Sequence, residues 1–450
     1  MKVFVALVVA SAAASKQSVT TLSSDERATL RAELAQWREE FGAKAAAEGL
    51  LPRAPQGSNP LEAETDALQR FYDNKLRIEE ARRNNPEATF DYNHPFALMT
   101  EAEFKDLVVG RSFQQGLSAV NALPSGDVDL NTPQAASVDW TTGKCVNPIR
   151  NQGNCGSCWA FSAVGTSESA HCLASGELLD LSEQQVTSCS TNGYSDGCNG
   201  GYEDAAIDYL VSTGVCLERD FPYTSGTTGL TGSCTNSCTK KKLSIGATVL
   251  VHGESATVAA LNNQPVSVAV EAGNSVWMNY RSGVVSQCPG ANSDHAVIAV
   301  GYDTSSIKIR NSWSANWGEA GHIRLKRGGA GNGTCNVVEW VSFPTIGGSP
   351  KPTTTKPTTK PTTTKPTTKP TTTKPTTKPT TTKPTTKPTT TKPTSKPKTT
   401  TPAPTSAQPD GCDNCSGCYY PAGDMCLPDE YTKDDCDYYK DEYNTVWCGN

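Results

Sequence analysis

From Pro350 to about Ser406 the chain is written almost entirely in Lys, Pro and Thr, with a nine-residue repeat that begins Lys351-Pro352-Thr353-Thr354-Thr355-Lys356-Pro357-Thr358-Thr359. Pro lacks an N–H and fixes its own φ, so its frequency excludes helix and sheet, and no large apolar side chain is present to offset the entropy of folding. The tract cannot be a domain, and it divides the 450 residues into a long N-terminal part and a short C-terminal one. Charge divides the same way. Residues 350–408 carry 12 Lys and no acid and residues 409–450 carry 10 acids and two Lys, which leaves −10 on residues 1–349 within a net charge of −6. Repeated like charge extends the tract, so residues 347–408 read as a spacer, with Thr beside Pro as O-glycan acceptors; its Lys residues could instead bind an acidic polymer. No basic surface interleaved with aromatics can be read from this distribution, which argues against nucleic acid as a partner.

At the other end, Lys2, the apolar run Val3-Phe4-Val5-Ala6-Leu7-Val8-Val9-Ala10 and the small residues Ser11 to Ala14 have the layout of a secretory signal peptide, residues 1–15, cut near Ala14 or Ser15. No later run reaches the length needed to span a membrane. The expected location is secreted or extracellular, with a lysosome or vacuole as the second reading. Seventeen cysteines suit an oxidising compartment, and Asn332-Gly333-Thr334 and Asn414-Cys415-Ser416 match N-glycan acceptors.

Two charged helical stretches follow. Ser23 to Glu26 forms a capping signal ahead of Leu30, Leu34, Trp37 and Phe41, and after Pro52, Pro55 and Pro60 a second helix is expected over about 62–84, with Leu68, Phe71, Leu76 and Ile78 on or near one face. Their apolar stripes are thin, so they are expected to pack on something else. The block from about Pro133 to Pro344 is long enough for a sizeable core. It opens with helix signals after Ser157 and around Ser182–Thr187. It continues from Lys241 in short β-branched runs, 243–245, 266–270, 296–300 and 307–310, between Gly, Asn and Pro turns. A helix-rich half before a strand-rich half implies two lobes and a cleft.

Cysteine arithmetic locates the chemistry. Residues 145–335 contain 11 Cys and the last 40 residues contain six, so one thiol of the large block stays unpaired. Cys158, in Gln152-Gly153-Asn154-Cys155-Gly156-Ser157-Cys158-Trp159-Ala160-Phe161, lies where turn residues give way to a helix, whose terminal amides are expected to lower its pKa. A thiolate nucleophile needs a base. Of five His, His295 follows Asp294 at the start of a strand and precedes Asn311-Ser312-Trp313 on what would be an adjacent strand. An amide facing the imidazole would orient it, and Trp313 and Trp317 would keep water from that bond.

These segments resemble the papain-like cysteine endopeptidases over about residues 133–344. The likeness is carried by Asp139-Trp140, the run Asn151 to Phe161, Ser182-Glu183-Gln184-Gln185, Gly197-Cys198-Asn199-Gly200-Gly201, Asp294-His295-Ala296-Val297, and Asn311-Ser312-Trp313 with Trp317-Gly318-Glu319. The resemblance implies an α+β fold of a helical lobe and a β-barrel-like lobe, with Cys158 as nucleophile, His295 as base and then acid, Asn311 as its orienting partner, and Gln152 with the Cys158 amide as oxyanion hole. It implies that Gly200, Gly201, Asp294, Trp317 and Trp340 border the peptide. Trp340 takes the floor of the pocket for the side chain two residues before the cleaved bond, and Glu339 beside it offers a basic component to an otherwise apolar preference. It also implies disulfides Cys155–Cys198, Cys189–Cys234 and Cys288–Cys335; the pairing of Cys145, Cys172, Cys216 and Cys238 stays open.

The region upstream resembles the inhibitory propeptide of that family. Trp37, Phe41 and Gly42 match its first helix, and Phe71, Asn74 and Ile78 keep part of its spaced pattern, whereas Ala67 and Arg82 depart from it. Asn93 to Thr100 is similar to the part nearest the cleft, with Leu98 where Asp is usual. The expected division is signal peptide 1–15, propeptide 16–132, catalytic domain 133–346, spacer 347–408 and a disulfide-rich module 409–450, with processing between about Ser125 and Ser137. In the module, Cys412, Cys415, Cys418, Cys426, Cys436 and Cys448 staple a segment too short for an apolar core. With no His nearby a zinc site is not expected, and the chain calls for no metal or other cofactor. Tyr419, Tyr420, Tyr431, Tyr438, Tyr439, Tyr443 and Trp447 could stack on sugar rings, so polysaccharide is an expected partner of residues 411–450. The main expectation is a monomeric secreted endopeptidase acting on proteins or peptides. The alternative is a surface- or polysaccharide-binding protein whose protease domain is secondary.

Overall fold

The computed structural model describes residues 18–52, 59–109, 128–235, 238–347, 412, 415–427 and 431–449. Residues 1–15, expected to be a signal peptide, the Lys/Pro/Thr tract and Asn414 lie outside the described residues. The chain divides into two compact units, Met1–Thr353 and Thr354–Asn450.

In the first unit the upstream region forms α1 (Ser24–Trp37), α2 (Ala43–Ala47), α3 (Pro60–Asn84), a short strand β1 (Ala88–Phe90) and α4 (Glu101–Val109). Capping boxes at Ser23/Glu26 and Asn59/Glu62 satisfy the first amides of α1 and α3, and a five-residue π turn, Arg38–Gly42, joins α1 to α2. Leu68, Phe71 and Ile78 are buried, but Leu76 is 44% exposed. At 100° per residue it falls about 140° from Phe71 and about 160° from Ile78, on the far side from both. The thin stripes are completed from outside. Leu30, Leu34, Trp37, Leu68, Phe71 and Ile78 belong to one apolar core with Trp277, Tyr280, Trp313 and Trp317 of the large block. The covering helices are therefore part of the same hydrophobic structure as the domain beneath, and β1 pairs antiparallel with Tyr280–Val285 at the edge of its sheet.

The large block begins with β2 (Val138–Asp139). Its helical half holds α5 (Cys158–Ser175), α6 (Glu183–Cys189) and α7 (Glu203–Thr213), the last not foreseen. Every residue of α5 from Cys158 to Cys172 is buried, so it carries no amphipathic stripe. The strands are β3 (Ile245–Val251), β4 (Val266–Val270), β5 (Tyr280–Val285), β6 (His295–Tyr302), β7 (Ser306–Arg310), β8 (His322–Lys326) and β9 (Val341–Ile346). Helix α8 (Glu254–Leu261) joins β3 to β4. With β1 they form a sheet ordered β1-β5-β8-β7-β6-β4-β9-β3, and β2 pairs with β6 off that path. The pattern missed β5 and β9 and began β3 two residues early, because β-branched runs are visible only where burial is continuous, as in β4 and β6. A second apolar core holds Cys158, Trp159, Val164, Ile207, Leu210 and Trp340. This two-lobed α+β fold meets the sequence expectation, and Cys158 and Trp313 lie in different cores, so the site sits where the two meet.

Disulfides join Cys155–Cys198, Cys189–Cys234 and Cys288–Cys335, and also the four cysteines left open, as Cys145–Cys172 and Cys216–Cys238. Cys158 is the free cysteine among the described residues.

The second unit pairs Cys412–Cys448, Cys415–Cys426 and Cys418–Cys436 around three short strands, with Cys418–Tyr420 between Met425–Cys426 and Val446–Trp447. Tyr420, Tyr431 and Tyr439 are buried. Part of the aromatic surplus thus builds this small core. Tyr438 remains 49% exposed, with Tyr419 and Trp447 half-buried.

Candidate active site

Cys158 is the first residue of α5, and Ser157 before it does not cap the helix with its hydroxyl. That hydroxyl is paired instead with the Tyr223 phenol at 2.7 Å, and the phenol donates to the Gln152 carbonyl at 2.8 Å. Tyr223 thereby ties the turn before the thiol to the segment that carries Gln152, a link between residues 71 apart that local pattern could not reveal.

His295 opens β6, and Asn311 directly follows β7. The antiparallel register Ile298↔Arg310 brings these two strand ends together. The imidazole Nε2 lies 2.9 Å from Asn311 Oδ1, an oxygen that also accepts the Ser312 amide at 2.8 Å. An atom that accepts an N–H there is an acceptor, so Nε2 carries the ring proton and Nδ1 is left with its lone pair, the form a base requires. Nδ1 itself makes no hydrogen bond. Trp313 stacks on the ring at 4.8 Å with planes 28° apart, Trp317 meets Trp313 edge-on at 5.1 Å, and both indoles are buried. The aromatic shield foreseen around the His295–Asn311 bond is present.

Gln152 is oriented from its far end. The Ser312 hydroxyl donates to Gln152 Oε1 at 2.6 Å, which turns Nε2 inward, and Nε2 donates to the Cys155 carbonyl at 3.0 Å and to the Val108 carbonyl at 3.4 Å. Val108 is the penultimate residue of α4, and the same carbonyl lies against His295. A peptide carbonyl of the chain's own upstream part thus sits between the amide donor and the imidazole. Beside it, Lys105 of α4 pairs at 3.2 Å with Asp294, whose other oxygen accepts the Ala272 and Gly273 amides.

Covering the site changes its protonation. Burial pushes the Cys158 thiol up to about 12, the charges of Glu203 and Asp294 add to this, and the Ala296 and Trp159 amides oppose it. Burial pushes His295 down to about 4, against the Asn311 bond and the Asp294 charge. The lowered thiol pKa expected from the helix amides is therefore not found in the covered form. Two amides cannot replace the water that burial removes. Between these two values Cys158 is a neutral thiol and His295 a neutral imidazole.

The remaining sequence candidates are placed unevenly. Gly200 donates its N–H to the Gly197 carbonyl at 3.4 Å and its carbonyl accepts the Asp196 N–H at 2.8 Å, both within its own loop, which leaves the carbonyl's second lone pair open. Gly201 makes no such bond among the described residues. A Cβ on it would lie 2.5 Å from the Trp159 ring, so only Gly allows this approach to the residue after the thiol. Trp317 is fixed by donating to the Trp277 carbonyl at 3.1 Å, and Trp340 is buried in the core that holds Cys158. Glu339, the expected acidic component, is already engaged by the Ser293 hydroxyl at 2.5 Å and the Asn332 amide at 3.0 Å. The unengaged acid is Glu203, one residue after Tyr202. It is wholly buried, both oxygens lack hydrogen-bond partners, and burial and then Asp204 push it up to about 8. Its only sequence signal was its place just after Gly200-Gly201.

No three His, Cys, Asp or Glu among the described residues are grouped to hold a metal ion, and no described helix is long and apolar enough to cross a membrane. Residues 134–345 match the family model described as papain family cysteine protease. The rice (Oryza sativa subsp. japonica) oryzain beta chain is 40% identical over 271 residues, covering 58% of this chain and 57% of that one. Chymopapain of Carica papaya is 37% identical over 288 residues, covering 61% and 78%. Among solved structures, the proform of the ragweed pollen allergen Amb a 11, a cysteine protease, superposes with a TM-score of 0.60 at 28% identity, over 72% of this chain and 96% of that one.

Proposed function

The chain belongs to the papain family of cysteine proteases, and on that premise we propose that it is a secreted endopeptidase made as a zymogen, with Cys158, His295, Asn311 and Gln152 as its working residues. The observation that carries this reading is the Val108 carbonyl held between Gln152 Nε2 and His295, where a scissile carbonyl would be polarised. Once the segment leaves, water returns to the site and the helix amides can favour the thiolate. His295 takes the Cys158 proton, and the sulfur attacks the carbonyl carbon while Gln152 and the Cys158 amide stabilise the oxyanion. The imidazolium gives its proton to the leaving amine as the C–N bond breaks, which leaves a thioester. His295 then takes a proton from water, hydroxide attacks the thioester, and the proton returns to sulfur as the acid departs. Casein hydrolysis abolished by a thiol-directed epoxide, with the adduct mapped to Cys158, is the expected result; an adduct on Cys158 that leaves hydrolysis intact removes this reading.

Residues 16–132 are the proposed propeptide. Residues 129–137 are exposed, which suits cleavage between about Ser125 and Ser137. Eight disulfides support an oxidising destination, secreted or vacuolar, for the signal peptide proposed at residues 1–15.

For the side chain two residues before the cleaved bond, Trp340 supports an apolar preference, and the unpartnered Glu203 supports a basic component in place of Glu339. Above pH 8, where Glu203 is ionised, Glu203→Gln is expected to lower kcat/KM for Arg at that position by about tenfold relative to Leu, as expected when a charge-assisted bond is lost. A library profile led by acidic residues, or an unchanged Arg-to-Leu ratio in the variant, contradicts this.

The exposed Tyr438 supports a carbohydrate-stacking role for the C-terminal module. The full oxidised chain is expected to be retained on at least one of cellulose, chitin and β-glucan, and less so after Tyr438→Ala. No retention on any of the three removes the role.

A further inference from the structure

The oxyanion hole proposed above takes its two donors from residues six apart, Gln152 with its Nε2 and Cys158 with its backbone N–H. The chain between them includes Gly153, at φ +56°, and Gly156, and glycines leave a backbone with little stiffness of its own. The spacing of the donors must be fixed by contacts from elsewhere. The disulfide Cys155–Cys198 and the Gly156 amide, which donates to the Cys198 carbonyl at 3.0 Å, hold the middle of the turn. Its two ends are joined by one side chain, that of Tyr223.

A phenol has one proton to give. The Gln152 carbonyl can only accept, so Tyr223 donates there at 2.8 Å, and the Ser157 hydroxyl donates to the phenol oxygen at 2.7 Å. Ser157 opens the peptide unit that carries the Cys158 N–H. The phenol therefore links the residue bearing one donor to the peptide bearing the other. Its own place is fixed as well. The Tyr223 amide donates to Glu218 Oε1 at 2.8 Å, its ring meets Phe161 of α5 edge-on at 4.8 Å, and three residues later the Gly226 carbonyl accepts the Asn154 amide at 2.8 Å. A Cβ on Gly226 would lie 2.8 Å from the Gln152 carbonyl oxygen and 2.9 Å from the Tyr223 ring, so only Gly lets this strap close on the turn. All of these partners lie between residues 152 and 226, so the strap does not rely on α4.

We infer that Tyr223 is a positioning residue of the oxyanion hole: its hydroxyl sets the separation of Gln152 and the Cys158 amide and leaves the thiol and the imidazole unaffected. This rests on the roles proposed for Gln152 and that amide. Charge on the tetrahedral oxygen is stabilised only by donors already standing at the position it takes, so a loosened pair costs turnover and little substrate binding. Both donors survive loss of the phenol hydroxyl. The cost is therefore smaller than the 10²–10³-fold that removal of a whole donor brings, and about tenfold is expected.

The test takes the 450-residue chain as wild type, Tyr223→Phe, Gln152→Ala and the double variant, each freed of residues 16–132 with an added protease, with circular dichroism as the fold control. Phe keeps the ring against Phe161 and removes only the hydroxyl. The readings are kcat and KM on a fluorogenic peptide and the rate of Cys158 alkylation by iodoacetamide across pH. Displacement of iodide builds no oxyanion, so alkylation reports the thiol and the imidazole alone. Tyr223→Phe is expected to lower kcat about tenfold with KM within about threefold of wild type, to leave the alkylation profile unchanged, and to cost less than about threefold further in the Gln152→Ala background, where no pair of donors is left to hold. An unchanged kcat, alkylation that falls in parallel with kcat, or the full loss repeated in the Gln152→Ala background overturns the inference. Should Tyr223→Phe fail to fold, Ser157→Ala breaks the same link from its other end: a lower kcat with alkylation unchanged supports the inference, and an unchanged kcat overturns it. Where Gln152→Ala itself leaves kcat unchanged, the oxyanion reading falls and this inference with it; a loss in Gln152→Ala with none in Tyr223→Phe removes the positioning role alone.

Discussion

Cys158→Ala is expected to lower kcat/KM on peptide substrates by about 10⁴-fold or more, with the chain still folded. The thiol supplies the bond that divides one hard displacement into two easier steps. Without it only the oxyanion donor and substrate positioning remain, so further loss of His295 should add little. Folding should survive because Cys158 is outside all eight disulfides and the change removes one sulfur from the helical core. The measurement is steady-state hydrolysis of a fluorogenic peptide by processed wild type and by the variant freed of residues 16–132 with an added protease, with circular dichroism as the fold control. Hydrolysis by the alanine variant within tenfold of wild type would remove Cys158 as the nucleophile.

Gln152→Ala is expected to reduce kcat by about 10²–10³-fold with KM changed only a few-fold, the signature of a donor that matters once charge develops on oxygen. The side chain is held for this task. Ser312 fixes Oε1 at 2.6 Å, and Nε2 is turned toward the position the Val108 carbonyl now fills. Loss confined to KM would mean that Gln152 only binds substrate, and an unchanged kcat would remove the oxyanion role.

The site was legible where neighbours in sequence are neighbours in space. The run Gln152 to Cys158 supplies a donor and a thiol within one turn, and the odd cysteine count singled out one of 11. His295 and Asn311 are 16 apart, yet one hairpin unites them, so strand periodicity and a turn were enough. Contacts between distant segments were not legible. Tyr223 to Gln152, Ser312 to Gln152 and Asn279 to His94 join residues from 71 to 185 positions apart, and hydroxyl and amide side chains carry no periodic signature of such pairing. Glu339 was named from its place in the chain, and Glu203 was not, for a related reason. Chain position places a carboxylate near a pocket, and only its hydrogen bonds tell whether it is already satisfied.

By itself the sequence determined the partition: a Lys/Pro/Thr tract that cannot fold, a stapled acidic module, a core-bearing block, and one leftover thiol with the base and amide proposed for it. These follow from composition, parity and short spacing, which are properties of the chain before it folds. The tertiary structure decided the state of that chemistry. Burial leaves Cys158 a thiol and His295 a neutral imidazole, whereas the helix amides alone pointed to a thiolate. The reason is that a pKa depends on the water and charges surrounding a group, and those are set by segments remote in sequence that only the fold brings together.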